Sequence, residues 1–187
     1  MEWHDSCAVI DKSAILWVIH TKSSEKAEDP HTFHQRLASF VREHVCHAGI
    51  SPQFRDFSLL PHAIQAANAA FRLGQTRHPH FWYYLFDDYR LEYMLEKIGK
   101  DLPASMFCHP SILELIVYDQ KHHTELAYTL QVYLQCNLNM TTAAGQLYIH
   151  RTTFCRRMDH IQQITKLDIH NPDTILALLL SYKLMEH

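Results

Sequence analysis

Two short helical patterns separated by a few residues lie between positions 140 and 158, and they constrain the fold more than any other segment. The first pattern contains Ala143, Ala144 and Gly145, and residues this small allow two helices to cross closely. An apolar Leu-x-Ile at 147–149 fills the corner, and a hydroxyl-rich stretch begins the second pattern. Residues 139–165 are therefore predicted to form a helix-turn-helix.

The second pattern predicts an amphipathic helix with one polar face. Phe154, Met158 and Ile161 recur at i, i+4 and i+7, which is the spacing of a buried stripe. Because each residue turns the helix by about 100°, the opposite face can be assigned from the sequence. That face carries Thr152, Arg156, Asp159 and Gln163, with His160 beside it.

Positive charge is concentrated in this segment although the whole chain is slightly acidic. Lys and Arg number 17 against 20 Asp and Glu, so the formal net charge is -3. Between residues 138 and 166, by contrast, the sequence contains four basic residues and one acid, Asp159, which gives a local charge of +3. A nucleic-acid contact, which needs a positive surface, is therefore expected here and not over the chain as a whole.

The polar face predicts which side chains would contact double-stranded DNA. Arginine is the commonest reader of guanine, through O6 and N7, so Arg156 and Thr152 are the candidates for base contact. Arg151 and Thr153, in the first turn, are placed for phosphates. For Arg157, on the shoulder of the buried stripe, an ion pair with Asp119 or Glu125 is the alternative to a DNA contact. The predicted DNA-binding set is His150, Arg151, Thr152, Thr153, Arg156, Arg157 and His160.

Strand and helix signals alternate over residues 1–100. Two apolar runs around Asp11-Lys12-Ser13 predict a hairpin over 6–20, and a helical pattern then runs from Phe33 to Val41. The next predicted elements are a strand over Val45–Ile50, a helix from Leu59 that stops at Gly74, a strand over His80–Phe86 and a closing helix over Asp87–Ile98. This order favours an α/β layer with one sheet and helices packed on it.

Only helical periodicity is present after residue 101, so 101–187 predicts an all-α domain. Pro110 suits the first position of a helix. The stripe expected to face the core of that helix is Ile112, Leu113, Ile116 and Val117. A second helix is expected to start at Thr124-Glu125 and end near Asn137, and Asn171 is a natural N-cap for the last helix.

Several function classes find no support in the sequence. Five cysteines without a C-x-x-C pair fit free thiols in a reducing compartment, and the His/Cys clusters lack the second cluster that structural zinc requires, so no metal or cofactor is expected. Nucleotide-binding, hydrolase and metalloprotease motifs are missing, which favours a protein that is not an enzyme. Neither a spanning apolar run nor a secretory leader is evident, so the expected location is cytoplasmic.

The C-terminal part resembles the helical domain of the PucR/CdaR family of bacterial transcription regulators. The resemblance covers roughly residues 108–185, and its elements occur in order. They are Tyr118-Asp119, Glu125-Leu126, Thr129-Leu130-x-x-Tyr133-Leu134, Asn137-x-Asn139, Leu147-x-Ile149-His150-Arg151-x-Thr153-x-x-x-Arg157, Leu167-Asp168-Ile169 and Asn171-Pro172. The resemblance implies a helix-turn-helix that binds promoter DNA as a homodimer or higher oligomer, and other domains that sense a metabolite or bind partners. Such an effector domain is not evident here.

Upstream, Gly49-Ile50-Ser51-x-x-Phe54 and Gln65-Ala66-x-x-Ala69 resemble the later half of the degenerate GGDEF-like domain found in these regulators. The expected fold class is thus α+β, with a sandwich-like α/β regulatory or dimerisation domain over 1–100 and the helical domain over 101–187. The opening strand and helix of a complete GGDEF-like domain are not recognisable, which leaves two interpretations, a fragment of a longer regulator or a short natural form.

The chain departs from the family pattern on the polar face itself. Thr152 stands where the family commonly has Asn, and Arg156 stands where it has Tyr. The first change loses an amide that can read adenine, and the second adds a charge. Two consequences are open: a site preference that differs from that of the relatives, or weaker sequence-specific binding. The alternative is a protein-interaction module whose helical domain no longer binds DNA specifically; a buried, salt-bridged Arg156 would favour it.

Overall fold

The computed structural model describes residues 6–11, 14–20, 30–99 and 102–186. The fold is α+β, mostly helical with a small amount of sheet. The chain forms two compact units, Met1–Met94 and Leu95–His187. The predicted GGDEF-like character of the first unit, and the predicted domain limits at 100 and 101, stay predictions.

The predicted hairpin is present. Strands β1 (Ser6–Asp11) and β2 (Ala14–Ile19) pair antiparallel, with Ser6 opposite Ile19 and Asp11 opposite Ala14. The prediction of one sheet is wrong for the described strands, which form two separate two-stranded sheets. Strand periodicity depends on neighbouring residues, whereas the choice of pairing partner depends on distant ones, so alternation alone does not determine which strands meet.

The second sheet pairs β3 (Ala48–Ile50) with β4 (Tyr83–Leu85) in parallel. Both strands are shorter than predicted. Val45 adopts a left-handed backbone, with φ of 51°, and this turn delays the start of β3. Phe86, predicted to end β4, instead begins helix α3 (Phe86–Ile98).

Helix α1 (Pro30–Glu43) precedes β3, and α2 (Leu60–Arg77) connects the two parallel strands. The prediction that α2 stops at Gly74 is wrong, because the helix continues to Arg77. Gly74 is needed for packing: a Cβ there would lie 2.1 Å from Cδ1 of Tyr84. At Gly49 a Cβ would lie 2.0 Å from the carbonyl oxygen of Ala67. These two glycines let α2 lie directly against the sheet.

After α3, the described residues of the second unit include five α-helices, in the places that the periodicity predicted. They are α4 (Pro110–His122), α5 (Leu126–Gln135), α6 (Met140–Gln146), α7 (Arg151–Thr165) and α8 (Pro172–Met185). Ile112, Leu115, Leu130, Ile161 and Leu178 form the centre of the core and are at most 1% exposed. Asn171 caps α8 as predicted, accepting a hydrogen bond from the Asp173 backbone at 2.9 Å.

One expectation about this core is wrong. Ile112 is buried and Ile116 partly buried as predicted, but Leu113 and Val117 are 36% and 65% exposed. Leu115 is fully buried in their place. Because α4 is apolar on more than one side, its sequence alone does not settle which side faces α5 and α7.

None of the helices in the described ranges combines the length and the apolar character needed to cross a bilayer.

Candidate nucleic-acid interface

Helices α6 and α7 meet at a corner formed by residues 147–150. Ala143 and Ala144 are buried against Phe154, and Leu147 and Ile149 pack on the same cluster, as the sequence predicted. The expectation for Gly145 is wrong: a Cβ there would meet nothing within 4 Å. The close crossing of the two helices therefore depends on the alanines.

The starts of both helices are capped locally. Asn139 accepts hydrogen bonds from the backbone N–H groups of Thr141 and Thr142, at 3.0 and 3.1 Å. His150 Nδ1 accepts from the backbone N–H of Thr152 at 3.3 Å. These side chains satisfy helix N–H groups that have no partner inside the helix, which holds α7 at a defined start.

The faces of α7 lie as the periodicity predicted. Phe154 and Ile161 are buried and Met158 is half-buried. Thr152, Arg156, Asp159 and Gln163 are exposed on the other side of the helix. A polar surface with a central arginine is thus presented to solvent along the length of the helix.

The predicted contact residues fall into two groups. Arg151, Thr153 and Arg156 are exposed, and their side chains have no hydrogen-bond or ion-pair partner among the described residues. His150 and Thr152 are also exposed and lie beside each other, with Nδ1 2.9 Å from Oγ1. These five side chains are therefore accessible at the first turns of α7.

Arg157 and His160, by contrast, are half-buried and have partners inside the domain. Arg157 Nη1 donates to Thr129 Oγ1 at 3.0 Å, and Nη2 lies 3.4 Å from Glu125 Oε2. His160 Nε2 lies 3.1 Å from the Tyr118 hydroxyl. For Arg157 the ion pair with Glu125 was one of the alternatives left open by the sequence.

Asp119, the other acid considered for Arg157, has a different role that the sequence did not reveal. Its carboxylate accepts from Thr124 Oγ1 at 2.5 Å and from the backbone N–H groups of Leu126 and Ala127, each at 2.8 Å. Asp119 thereby caps α5 from the preceding helix. A capping residue normally lies directly before its helix, so a cap seven residues upstream gives no local signal.

A cleft of about 380 Å³ lies beside α7. Thr153, Arg156, Arg157 and His160 line one side, and residues 123–126 line the other. Among the described residues, those of the cleft included, no group of three or more His, Cys, Asp or Glu side chains is arranged to hold a metal ion.

Residues 126–184 match the model of the PucR C-terminal helix-turn-helix domain. Residues 126–184 are therefore similar to the helix-turn-helix domain of PucR-type proteins. The match covers α5 to α8 and so includes the whole corner and the exposed face of α7. The segment that matches the PucR-type domain is thus the same segment that forms the helix-turn-helix in the structure.

The chain is also similar to several curated proteins. The chain is 30% identical to an uncharacterised protein of Haemophilus influenzae, over 70% of the chain and 34% of that protein. It is 27% identical to the carbohydrate diacid regulator of Escherichia coli, over 65% of the chain and 31% of the relative. With the proline-responsive transcriptional activator PutR of Bacillus subtilis the identity is 37%, over 36% of the chain and 16% of the relative.

The aligned stretch spans about a third or less of the length of these relatives. No solved structure matches the chain.

Proposed function

We propose that the chain is a DNA-binding transcriptional regulator that places α7 in the major groove of promoter DNA. The observation that carries the proposal is the exposed polar face of α7 in a PucR-type domain, with Arg156 at its centre and no partner for it among the described residues. An α-helix fits the major groove, where each base pair presents its own pattern of donors and acceptors. An exposed arginine on such a helix can donate hydrogen bonds to O6 and N7 of guanine.

The side chains of α7 divide into two proposed roles. Arg156 and Thr152 contact base edges, and Arg151, Thr153 and His150 contact phosphates near the start of the helix. Arg157 and His160 support the position of α7 through Thr129, Glu125 and Tyr118. Arg157 and His160 were predicted to contact DNA; in this proposal they affect DNA binding by keeping α7 in its orientation.

The alternative function, a protein-interaction module that no longer binds DNA specifically, would be favoured by a buried and salt-bridged Arg156. The exposure of Arg156 argues for the DNA reader instead.

The regulator is proposed to act in the cytoplasm as a homodimer or larger homo-oligomer. Two-fold symmetry would present two copies of α7 to successive major grooves, about 34 Å apart. Relatives named as responsive to proline or as a carbohydrate diacid regulator support a small-molecule effector, sensed by a domain other than the helical one.

The test is fluorescence anisotropy of the full chain on labelled DNA from upstream of its own gene and on a scrambled duplex, across a salt series. Wild type is expected to prefer the native duplex, and Arg156→Ala is expected to lose about 1–3 kcal/mol of that preference, the worth of one bidentate base contact. Arg55→Ala, which removes an exposed arginine of the first unit, controls for the change in net charge.

If Arg156→Ala loses the preference for the native duplex and Arg55→Ala keeps it, the result supports base reading by Arg156. Failure of the wild-type chain to bind either duplex, even at low salt, would overturn the proposed function for this chain and favour the interaction module.

A further inference from the structure

The cleft beside α7 lies next to the face that is proposed to read bases. Thr153, Arg156, Arg157 and His160 follow one another at i, i+3, i+4 and i+7, so they form one side of the helix. That side adjoins the exposed face, and Arg156 belongs to both. The opposite wall of the cleft includes the α4–α5 loop, residues 123–125.

The charges around the cleft favour an anion. Arg156 and Arg157 line it together with His123 and His160, whereas Glu125 is the one carboxylate among the lining residues. Glu125 lies 3.4 Å from Arg157, so these two opposite charges offset each other and Arg156 supplies the net positive charge. Arg156 has no such partner within the described residues. The carboxylate of nearby Asp119 is occupied by its three hydrogen bonds to Thr124, Leu126 and Ala127.

The α4–α5 loop and α6 lie on different sides of α7, and this arrangement indicates that the anion in the cleft would be a phosphate of the DNA backbone. Helix α6 packs through its alanines against Phe154 and Met158, on another side of α7 from the cleft. A helix with its side chains is about 10–12 Å across and the major groove is about 12 Å wide. Segments on the two sides of a helix in the groove therefore lie over the two phosphate backbones.

His123 is the loop residue best placed to act without disturbing the fold. It is the exposed C-cap of α4, with a left-handed backbone at φ of 53°. Asn, Asp and His are the non-glycine residues that tolerate this conformation best. Lys121 and His122, also exposed, add basic side chains in the last turn of α4.

We propose that the α4–α5 loop forms a phosphate clamp beside Arg156, which holds the backbone of one DNA strand while the exposed face of α7, with Arg156, reads the bases. The proposal rests on the proposed function, because it needs α7 in the groove. The clamp contributes affinity that depends on salt and not on sequence. Arg156 lies at the border between the clamp and the base-reading face, and His123 contacts the phosphate alone.

The test compares His123→Asp and His123→Asn with wild type in the same anisotropy assay, on native and scrambled duplexes. Both residues tolerate the left-handed backbone, so folding is preserved, and only Asp places a negative charge in the cleft. We expect His123→Asp to bind both duplexes about fivefold more weakly at low salt, with a smaller difference at high salt. His123→Asn is expected to lose less affinity for either duplex than His123→Asp does.

Asn171→Asp is the matched control, because it adds the same charge at the N-cap of α8, where Asp is as good a cap as Asn. A second readout uses duplexes in which single phosphates are replaced by neutral methylphosphonates. At the phosphate held by the clamp, this replacement is expected to remove the difference between His123→Asp and wild type.

The outcomes separate the two proposals. If wild type binds and Arg156→Ala loses preference, but His123→Asp matches Asn171→Asp on both duplexes, the clamp is wrong and the reader stands. A loss in His123→Asp that no methylphosphonate position removes would also overturn the clamp. If wild type binds neither duplex, the proposed function itself fails.

Discussion

Tyr148 shows how one residue of the corner is held in an unfavourable backbone conformation. Its φ is 54° and its side chain is 96% exposed, so little packing offsets the steric cost of the Cβ atom. That cost is about 1–2 kcal/mol for a left-handed residue, and glycine avoids it. The corner therefore contains backbone strain that contacts of the tyrosine ring do not offset.

We expect Tyr148→Gly to raise the free energy of unfolding by up to about 1 kcal/mol, after the greater freedom of glycine in the unfolded chain is subtracted. Urea unfolding followed by circular dichroism measures the change. The control is Tyr128→Gly, an exposed tyrosine inside α5, where glycine should destabilise. A Tyr148→Gly protein less stable than wild type would contradict this account of the corner.

At the scale of helices, Asp119 fixes the start of α5 and so the wall of the cleft. Its carboxylate binds two backbone N–H groups, and one of them belongs to Leu126, which is 2% exposed. An N–H group this close to the core that loses its acceptor costs about 1–3 kcal/mol.

Asp119→Ala is accordingly expected to lower the free energy of unfolding by about 1–3 kcal/mol, with a smaller loss in Asp119→Asn, which keeps one acceptor oxygen. Urea unfolding of each variant measures the loss. Glu114→Ala, an exposed acid on the same helix, should change stability by no more than about 0.5 kcal/mol. Equal effects of Asp119→Ala and Glu114→Ala would rule out the capping role.

At the scale of the whole molecule, Tyr182 joins α8 to α5 in the helical core and links stability to pH. It is 8% exposed and its hydroxyl donates to the carbonyl oxygen of Ala127 at 2.7 Å. Burial, and to a lesser extent the charge of Asp119, raises the pKa of Tyr182 well above its ordinary value. The folded protein thus holds this phenol in its neutral form.

Because the folded pKa is the higher one, the stabilisation from Tyr182 is complete below the unfolded value of about 10 and is lost as pH rises above it. Tyr182→Phe should cost about 1 kcal/mol at neutral pH, through the lost hydrogen bond, and should lose less stability between neutral and alkaline pH than wild type. Urea unfolding across this range measures both. Burial also raises the pKa of Tyr84, Tyr89 and Tyr133, so the comparison with the variant isolates Tyr182. Parallel pH curves for the two proteins would contradict the link.

Much of the helical unit could be predicted from the sequence, because the signals are local. Periodicity and capping residues located all five helices, and the 100° rotation per residue identified the buried and exposed faces of α7. The same local signals were weaker in the first unit. They located the hairpin, but not the pairing of β3 with β4 through α2, which joins residues far apart in the chain.

What the sequence by itself determined is therefore the helix-turn-helix and the polar face that it presents. The tertiary structure decided which arginines of α7 are available for contact with a partner. Arg156 and Arg157 are neighbours with the same chemistry, yet only Arg157 reaches Thr129, 28 residues away. Gly74, which locally resembles a helix end, lies within α2, where the Tyr84 ring leaves no room for a Cβ atom. In both cases the deciding contact joins residues of different secondary-structure elements, and the pattern within one element carries no information about it.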